Sequence, residues 1–289
     1  MKQTVVFTDS GLGGLSIMAD FVRLAKLNQL NVDCVFFNAQ HSRGFGYKKM
    51  DSKTQVEVFD RVLSTIDTMY RPNIIAVACN TLSVVYLKSN FYKNTDVKVL
   101  DIIETGKSLV KNSDSESVIE ISMPTTTESG VYLDESKQVI AVSSDISLPD
   151  AIENGYDKDI ELIIENIFQD VQIKIETQKL QKKEHALFLA CTHFPIIKDK
   201  FYDIAENLGI KINTLLNLNE SFSQLVVDEL INIKKGVGKE EEKGINTVKV
   251  ISRTELQENE VKNISKLIEN YSPETAEALR VYEYNPELF

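Results

Sequence analysis

The sequence predicts an α/β protein built on mainly parallel sheets, with one discontinuous domain and a second domain inserted into it. Three observations carry this reading. Strand-like and helix-like patterns alternate along the chain, the signature of βαβ units. Two apolar runs end in cysteine in near-duplicate settings, Ile74-Ile75-Ala76-Val77-Ala78-Cys79-Asn80-Thr81 and Ala186-Leu187-Phe188-Leu189-Ala190-Cys191-Thr192-His193. That echo hints at two pseudo-symmetric halves. Strand patterns after the second cysteine also need a sheet to join, and the first block is their natural home.

In chain order, strands are expected near 3–8, 32–37, 73–79, 97–100, 117–122, 138–143, 186–191, 210–214 and 247–251, each a short apolar run. Helices are expected near 13–28, 53–70, 81–91, 101–112, 157–182, 196–208, 217–235 and 254–268. A weak break at Lys93-Asn94-Thr95-Asp96 closes the first block. The expected domains are 1–97 with 210–289, and 98–209; the charged, Gly-containing stretch over 234–244 reads as a solvated surface loop.

Composition narrows the function classes. The chain has 289 residues, 43% hydrophobic and 26% charged, an ordinary balance for a globular protein with a sizeable core. A net charge of −11 argues against nucleic acid and anionic membranes as partners, since both call for a basic patch. No apolar run approaches the roughly 20 residues that span a bilayer. The N-terminus opens directly on a strand rather than a signal peptide. Three cysteines, an odd number in a long chain, argue against a disulfide framework and for reduced thiols in the cytoplasm.

Four stretches carry chemistry. Asp9-Ser10-Gly11-Leu12-Gly13-Gly14 follows the first strand and opens a helix, where free N–H groups and close backbone approach suit an anion. It matches neither the dinucleotide fingerprint nor the P-loop; the plainer alternative is a tight turn with Asp9 as helix cap. Cys79 and Cys191 each sit where a strand gives way to a helix, the position at which open α/β sheets place ligands. A thiol near a helix N-terminus ionises more readily, and two such thiols could exchange protons with opposite faces of one carbon. Cys34 lacks that context and reads as core. His193, two residues past Cys191, could orient or protonate that thiol, act with it as a hydrolase pair, or simply bond the backbone. No cysteine–histidine spacing matches a zinc site, so no metal is expected. Pro124-Thr125-Thr126-Thr127-Glu128-Ser129-Gly130-Val131-Tyr132 follows another strand and offers hydroxyls at a helix start, as carboxylate donors or as plain caps.

Taken in order, Asp9-Ser10-Gly11-Leu12-Gly13-Gly14, Ala78-Cys79-Asn80-Thr81, Thr126 with Ser129-Gly130-Val131-Tyr132, Pro149 with Glu153-Asn154-Gly155, and Cys191-Thr192-His193-Phe194-Pro195 resemble the cofactor-independent aspartate/glutamate racemase family. The resemblance implies two α/β domains facing a cleft that holds the active site, commonly in a homodimer. It implies racemisation of glutamate at Cα without cofactor or metal, supplying D-glutamate for peptidoglycan. By position it makes Cys79 and Cys191 the acid/base pair, with Asp9 and His193 assisting. Ser10, Asn80, Thr81, Thr126 and Thr192 hold the amino acid, and Glu153 tunes His193. Gly46 and Tyr47 are further candidates, in a segment that departs from the family. An Arg and then Pro-Tyr-Gly is usual there, whereas this chain reads Gln40-His41-Ser42-Arg43-Gly44-Phe45-Gly46-Tyr47-Lys48, and Met123 stands where the family tends to have Thr. Those departures keep open an aspartate or other amino-acid racemase or isomerase of the same fold, or a non-enzymatic amino-acid-binding relative.

Overall fold

The computed structural model describes residues 3–42, 46–180, 183–235 and 244–289. Among these, ten strands form two sheets: β1 (Gln3–Asp9), β2 (Val32–Asn38), β3 (Ile74–Val77), β4 (Lys98–Asp101), β5 (Ser117–Ser122), β6 (Gln138–Ser143), β7 (His185–Ala190), β8 (Ile212–Leu216), β9 (Ile245–Ser252) and β10 (Glu283–Tyr284). The helices between them are α1 (Gly14–Leu27), α2 (Ser52–Tyr70), α3 (Asn80–Tyr86), α4 (Asn90–Asn94), α5 (Ile102–Lys111), α6 (Pro124–Ser129), α7 (Leu148–Asn154), α8 (Asp157–Thr177), α9 (Lys198–Asn207), α10 (Leu218–Lys235), α11 (Glu258–Ile268) and α12 (Pro273–Arg280).

The first sheet runs β10-β9-β2-β1-β3-β4 and the second β6-β5-β7-β8, with every pairing parallel. The order β2-β1-β3-β4 recurs as β6-β5-β7-β8, so the two halves repeat one topology. The expected α/β class with two pseudo-symmetric, mainly parallel halves is borne out.

Parallel sheets are covered on both faces, which is why their strands read as near-continuous apolar runs. Successive side chains point to opposite faces. Val5, Phe7 and Phe36 of the first sheet and Val118 and Phe188 of the second therefore share one core with α1, α5, α10, α11 and α12. The alternate residues Val6, Phe37, Ile75 and Val77 pack outward on α2 and α3, while Ile119, Ile121, Leu187 and Leu189 pack on α7, α8 and α9. Long α8 shows the helical period plainly: Ile160, Ile164, Ile167, Phe168, Val171 and Ile175 are its buried residues. Cys34 lies wholly inside the shared core, as read from its context.

The expected domain cuts fall one strand away from where the sheets divide. β4 extends the first sheet beside β3, and β8 extends the second beside β7. Each is delivered by a crossover that lays the next strand beside the last one in the same sheet, which the apolar pattern alone does not reveal. The helix expected over 81–91 is two, because Ser89 accepts the N–H of Tyr92 and starts α4 afresh. The helix start read at Pro124 is α6, and α7 and α12 were unforeseen; all three are short, and each carries proline in its first turn. Arg43, Gly44 and Phe45, and residues 236–243 of the expected surface loop, lie outside the described residues. No described helix is long and apolar enough to cross a membrane, and the three cysteines are all free and buried.

Candidate active site

Both sheets have a topological switch point, where the chain leaves the central strand toward one neighbour and later returns on its other side. In the first sheet it lies between β1 and β3, and in the second between β5 and β7. Ligands of open α/β sheets bind beyond the carboxyl ends of such strands. Asp9 ends β1, Cys79 follows β3, Met123 follows β5 and Cys191 follows β7. All four line one cleft of about 500 Å³.

Of the residues expected at the site, Asp9, Ser10, Gly46, Tyr47, Cys79, Asn80, Thr81, Glu153, Cys191, Thr192 and His193 line this cleft. Thr126 departs from the expectation. The turn of α6 carries its side chain inward, where it is fully buried with a hydroxyl that has no hydrogen-bond partner, and Met123 meets the cleft instead. Gln40, which opens the departing segment, also lines the cleft, as do Lys49, Asp150, Gln257 and Glu260, which carried no local signal. Gln257 and Glu260 in particular belong to the start of α11, far along the chain from either cysteine.

Cys79 is the cap of α3: its sulfur accepts the N–H of Leu82 at 3.5 Å and lies 3.5 Å from Ser10 Oγ. Burial pushes the Cys79 thiol well up, and the nearby Asp9 carboxylate adds to the rise, outweighing the Ser10 and Leu82 hydrogen bonds. Cys79 is therefore a protonated thiol at neutral pH. Asp9, 1% exposed, is held by the N–H of Gly14 at 2.6 Å and by the Thr192 hydroxyl at 3.0 Å. Gly13 rather than Asp9 is the N-cap of α1, though Asp9 accepts the first helical N–H, and its second contact crosses from the first half to the turn carrying Cys191.

On the other side, His193 Nδ1 lies 3.8 Å from the Cys191 sulfur, and its Nε2 lies 2.7 Å from Glu153 Oε1. That carboxylate oxygen also accepts the N–H of Leu12 at 2.8 Å. Burial alone would push His193 down, but its hydrogen bonds to Cys191 and Glu153, with their charges, lift it well above the usual histidine range. The result is a buried imidazolium facing a sulfur. Gly13 must be glycine for this turn to close. A Cβ there would lie 2.4 Å from His193 Nδ1 and 2.5 Å from Thr192 Oγ1. Among the described residues no group of three or more His, Cys, Asp or Glu side chains could hold a metal ion.

The arrangement offers the Cys79 thiol on one side and, on the other, the Cys191 sulfur beside His193. Ser10, Asn80, Thr81 and Thr192, with their amide and hydroxyl groups, line the same cleft. A small molecule with an acidic C–H and a carboxylate would find donors for its charge and a proton-transfer group on each wall.

No protein-family model matches the chain. It is 24% identical over 278 residues to the glutamate racemase of Clostridium novyi, covering 92% of this chain and 97% of that protein. Its fold matches the structure of the Francisella tularensis glutamate racemase in complex with D-glutamate, with a TM-score of 0.71 at 20% identity over 93% of this chain and 94% of that one. It also matches that of the Thermus thermophilus glutamate racemase in complex with β-chloro-D-alanine, with a TM-score of 0.69 at 22% identity over 92% and 93% of the two chains. The resemblance read from the motifs is borne out by these relatives, and the structural matches establish the shared fold.

Proposed function

We propose that this chain, which resembles the cofactor-independent aspartate/glutamate racemase family in motifs, sequence and fold, is a glutamate racemase working by two-base proton transfer. The single observation that carries this is that Cys79 and Cys191 line the same cleft. In the proposed reaction the α-amino acid lies between them. Cys191 as thiolate, with the positive charge of His193 beside it, removes the α-proton. Cys79, held as a thiol, delivers a proton to the opposite face, and the roles exchange in the reverse direction.

The intermediate carbanion needs stabilisation, and donors on the α-carboxylate supply it best where they are fixed before the reaction. Asn80, Thr81, Ser10 and Thr192 are assigned that work. Asp9 assists Cys79 and Glu153 holds His193. The same proposal places the protein in the cytoplasm as a homodimer supplying D-glutamate for peptidoglycan.

The test is incubation with L- and D-glutamate in D₂O, with separation of enantiomers and measurement of deuterium at Cα. Both enantiomers should interconvert and gain label. Cys79→Ala and Cys191→Ala should each lower turnover by about 10⁴-fold or more, the upper range for general acid–base transfer. Near-full activity in either variant would remove the two-base assignment. A second reading, aspartate racemase, is favoured by Met123 and by the Gly46-Tyr47 order at the cleft. Turnover of aspartate but not glutamate would select it.

A further inference from the structure

We propose that Tyr132, which does not line the cleft, is a positioning residue that determines which end of the Asn80 amide the substrate meets. The inference rests on the racemase reading above. Tyr132 lies between α6 and β6, in the half that carries Cys191, and is 1% exposed. Its ring stands edge-on to Phe188 at 4.9 Å and 90°. Its hydroxyl reaches across to the other half and donates to Asn80 Oδ1.

Burial pushes the phenol well above its usual range, and the carboxylates of Glu120 and Asp101 add to the rise. It is therefore a neutral O–H at any working pH, and a buried O–H needs an acceptor. An amide carbonyl can accept; an amide nitrogen cannot. The Asn80 oxygen is thus committed to Tyr132, and its NH₂ is turned the other way. Asn80 is itself 3% exposed, lines the cleft next to Cys79, and its Nδ2 has no partner. The nitrogen is buried and unpartnered, the end of the amide left to donate to an α-carboxylate, a contact that strengthens as charge develops on proton removal.

Gly106 is an independent sign that this ring position is built. It lies inside α5, where glycine weakens a helix. A Cβ there would lie 2.4 Å from Tyr132 Cε1 and 3.0 Å from Phe188 Cζ. The glycine gives up helix stability where the ring needs clearance, and any side chain at 106 would displace the hydroxyl from Asn80.

The experiment is a double-mutant cycle on the full chain with Tyr132→Phe and Asn80→Ala, read as kcat and KM for glutamate in both directions, with Gly106→Ala alongside. Tyr132→Phe should lower kcat/KM by about tenfold, the loss of one well-placed hydrogen bond, with most of the loss in kcat. Gly106→Ala should do the same. In the Asn80→Ala background Tyr132→Phe should have no further effect. If the two effects multiply instead, Tyr132 acts through general stability and the proposal fails. If the wild type turns over no amino acid, the racemase reading fails by itself. The positioning is then read from the ¹⁵N side-chain amide signals of Asn80, which should shift or broaden in Tyr132→Phe; unchanged signals overturn it.

Discussion

His193 and Glu153 decide the electrostatics of the second half-site. The pair is almost fully buried, with side-chain exposures of 6% and 12%. The folded value of His193 is raised, so its contribution to stability is fully present below the ordinary histidine value of about 6.5 and is lost as pH rises through the folded value. Glu153→Gln removes the charge that holds the proton. It should cost about 3 kcal/mol near pH 6, a gap that narrows toward alkaline pH. The alkaline limb of the pH–rate profile should move to lower pH, because the imidazolium then loses its proton earlier. Urea unfolding and initial rates across pH 6–10 check both; a pH-independent gap would contradict the assignment. At this scale the sequence was most legible at the strand ends, since Asn80, Thr81, Thr192 and His193 follow the cysteines directly and Ser10 follows β1. Thr126 was misjudged because the direction of one side chain in a short helix depends on what packs beside it.

Helix caps act one level up. Cys79 shows how an element and a site share an atom, since the sulfur that faces the cleft also accepts the Leu82 N–H that starts α3. By contrast Ser272 caps α12 away from the cleft, accepting the Thr275 N–H at 3.1 Å. Ser272→Ala should lower stability by about 1 kcal/mol and leave the proposed racemisation unchanged, measured by thermal unfolding and by turnover. A fall in rate would mean that α12 reaches the site. Long elements such as α2, α8 and the strands of the first sheet were legible because their periodicity repeats over many residues. The short helix α7 was not, because seven residues hold too few repeats of any period, and α6 showed only its start.

For the molecule as a whole, the two halves are proposed as domains in topology but as one unit in stability. α10 packs on both β3 and β7, and its Phe222 is completely buried in the core the two sheets share. Phe222→Ala should cost about 3–5 kcal/mol. Its unfolding by far-UV circular dichroism and by tyrosine emission should remain coincident, with both probes shifted together. Two separated transitions, only one of them moved, would show that the halves unfold independently.

The sequence by itself determined the alternating elements, the paired cysteine strands, and the cluster of small polar residues at their ends. These are local properties, written in runs of a few neighbouring residues by burial and backbone geometry. Only the tertiary structure decided that β4 and β8 join their respective sheets, that Gln257 and Glu260 come to the cleft, and that Tyr132 meets Asn80. Those outcomes depend on distances between residues far apart in the chain, and such distances are settled by how layers of side chains pack rather than by any pattern along the backbone.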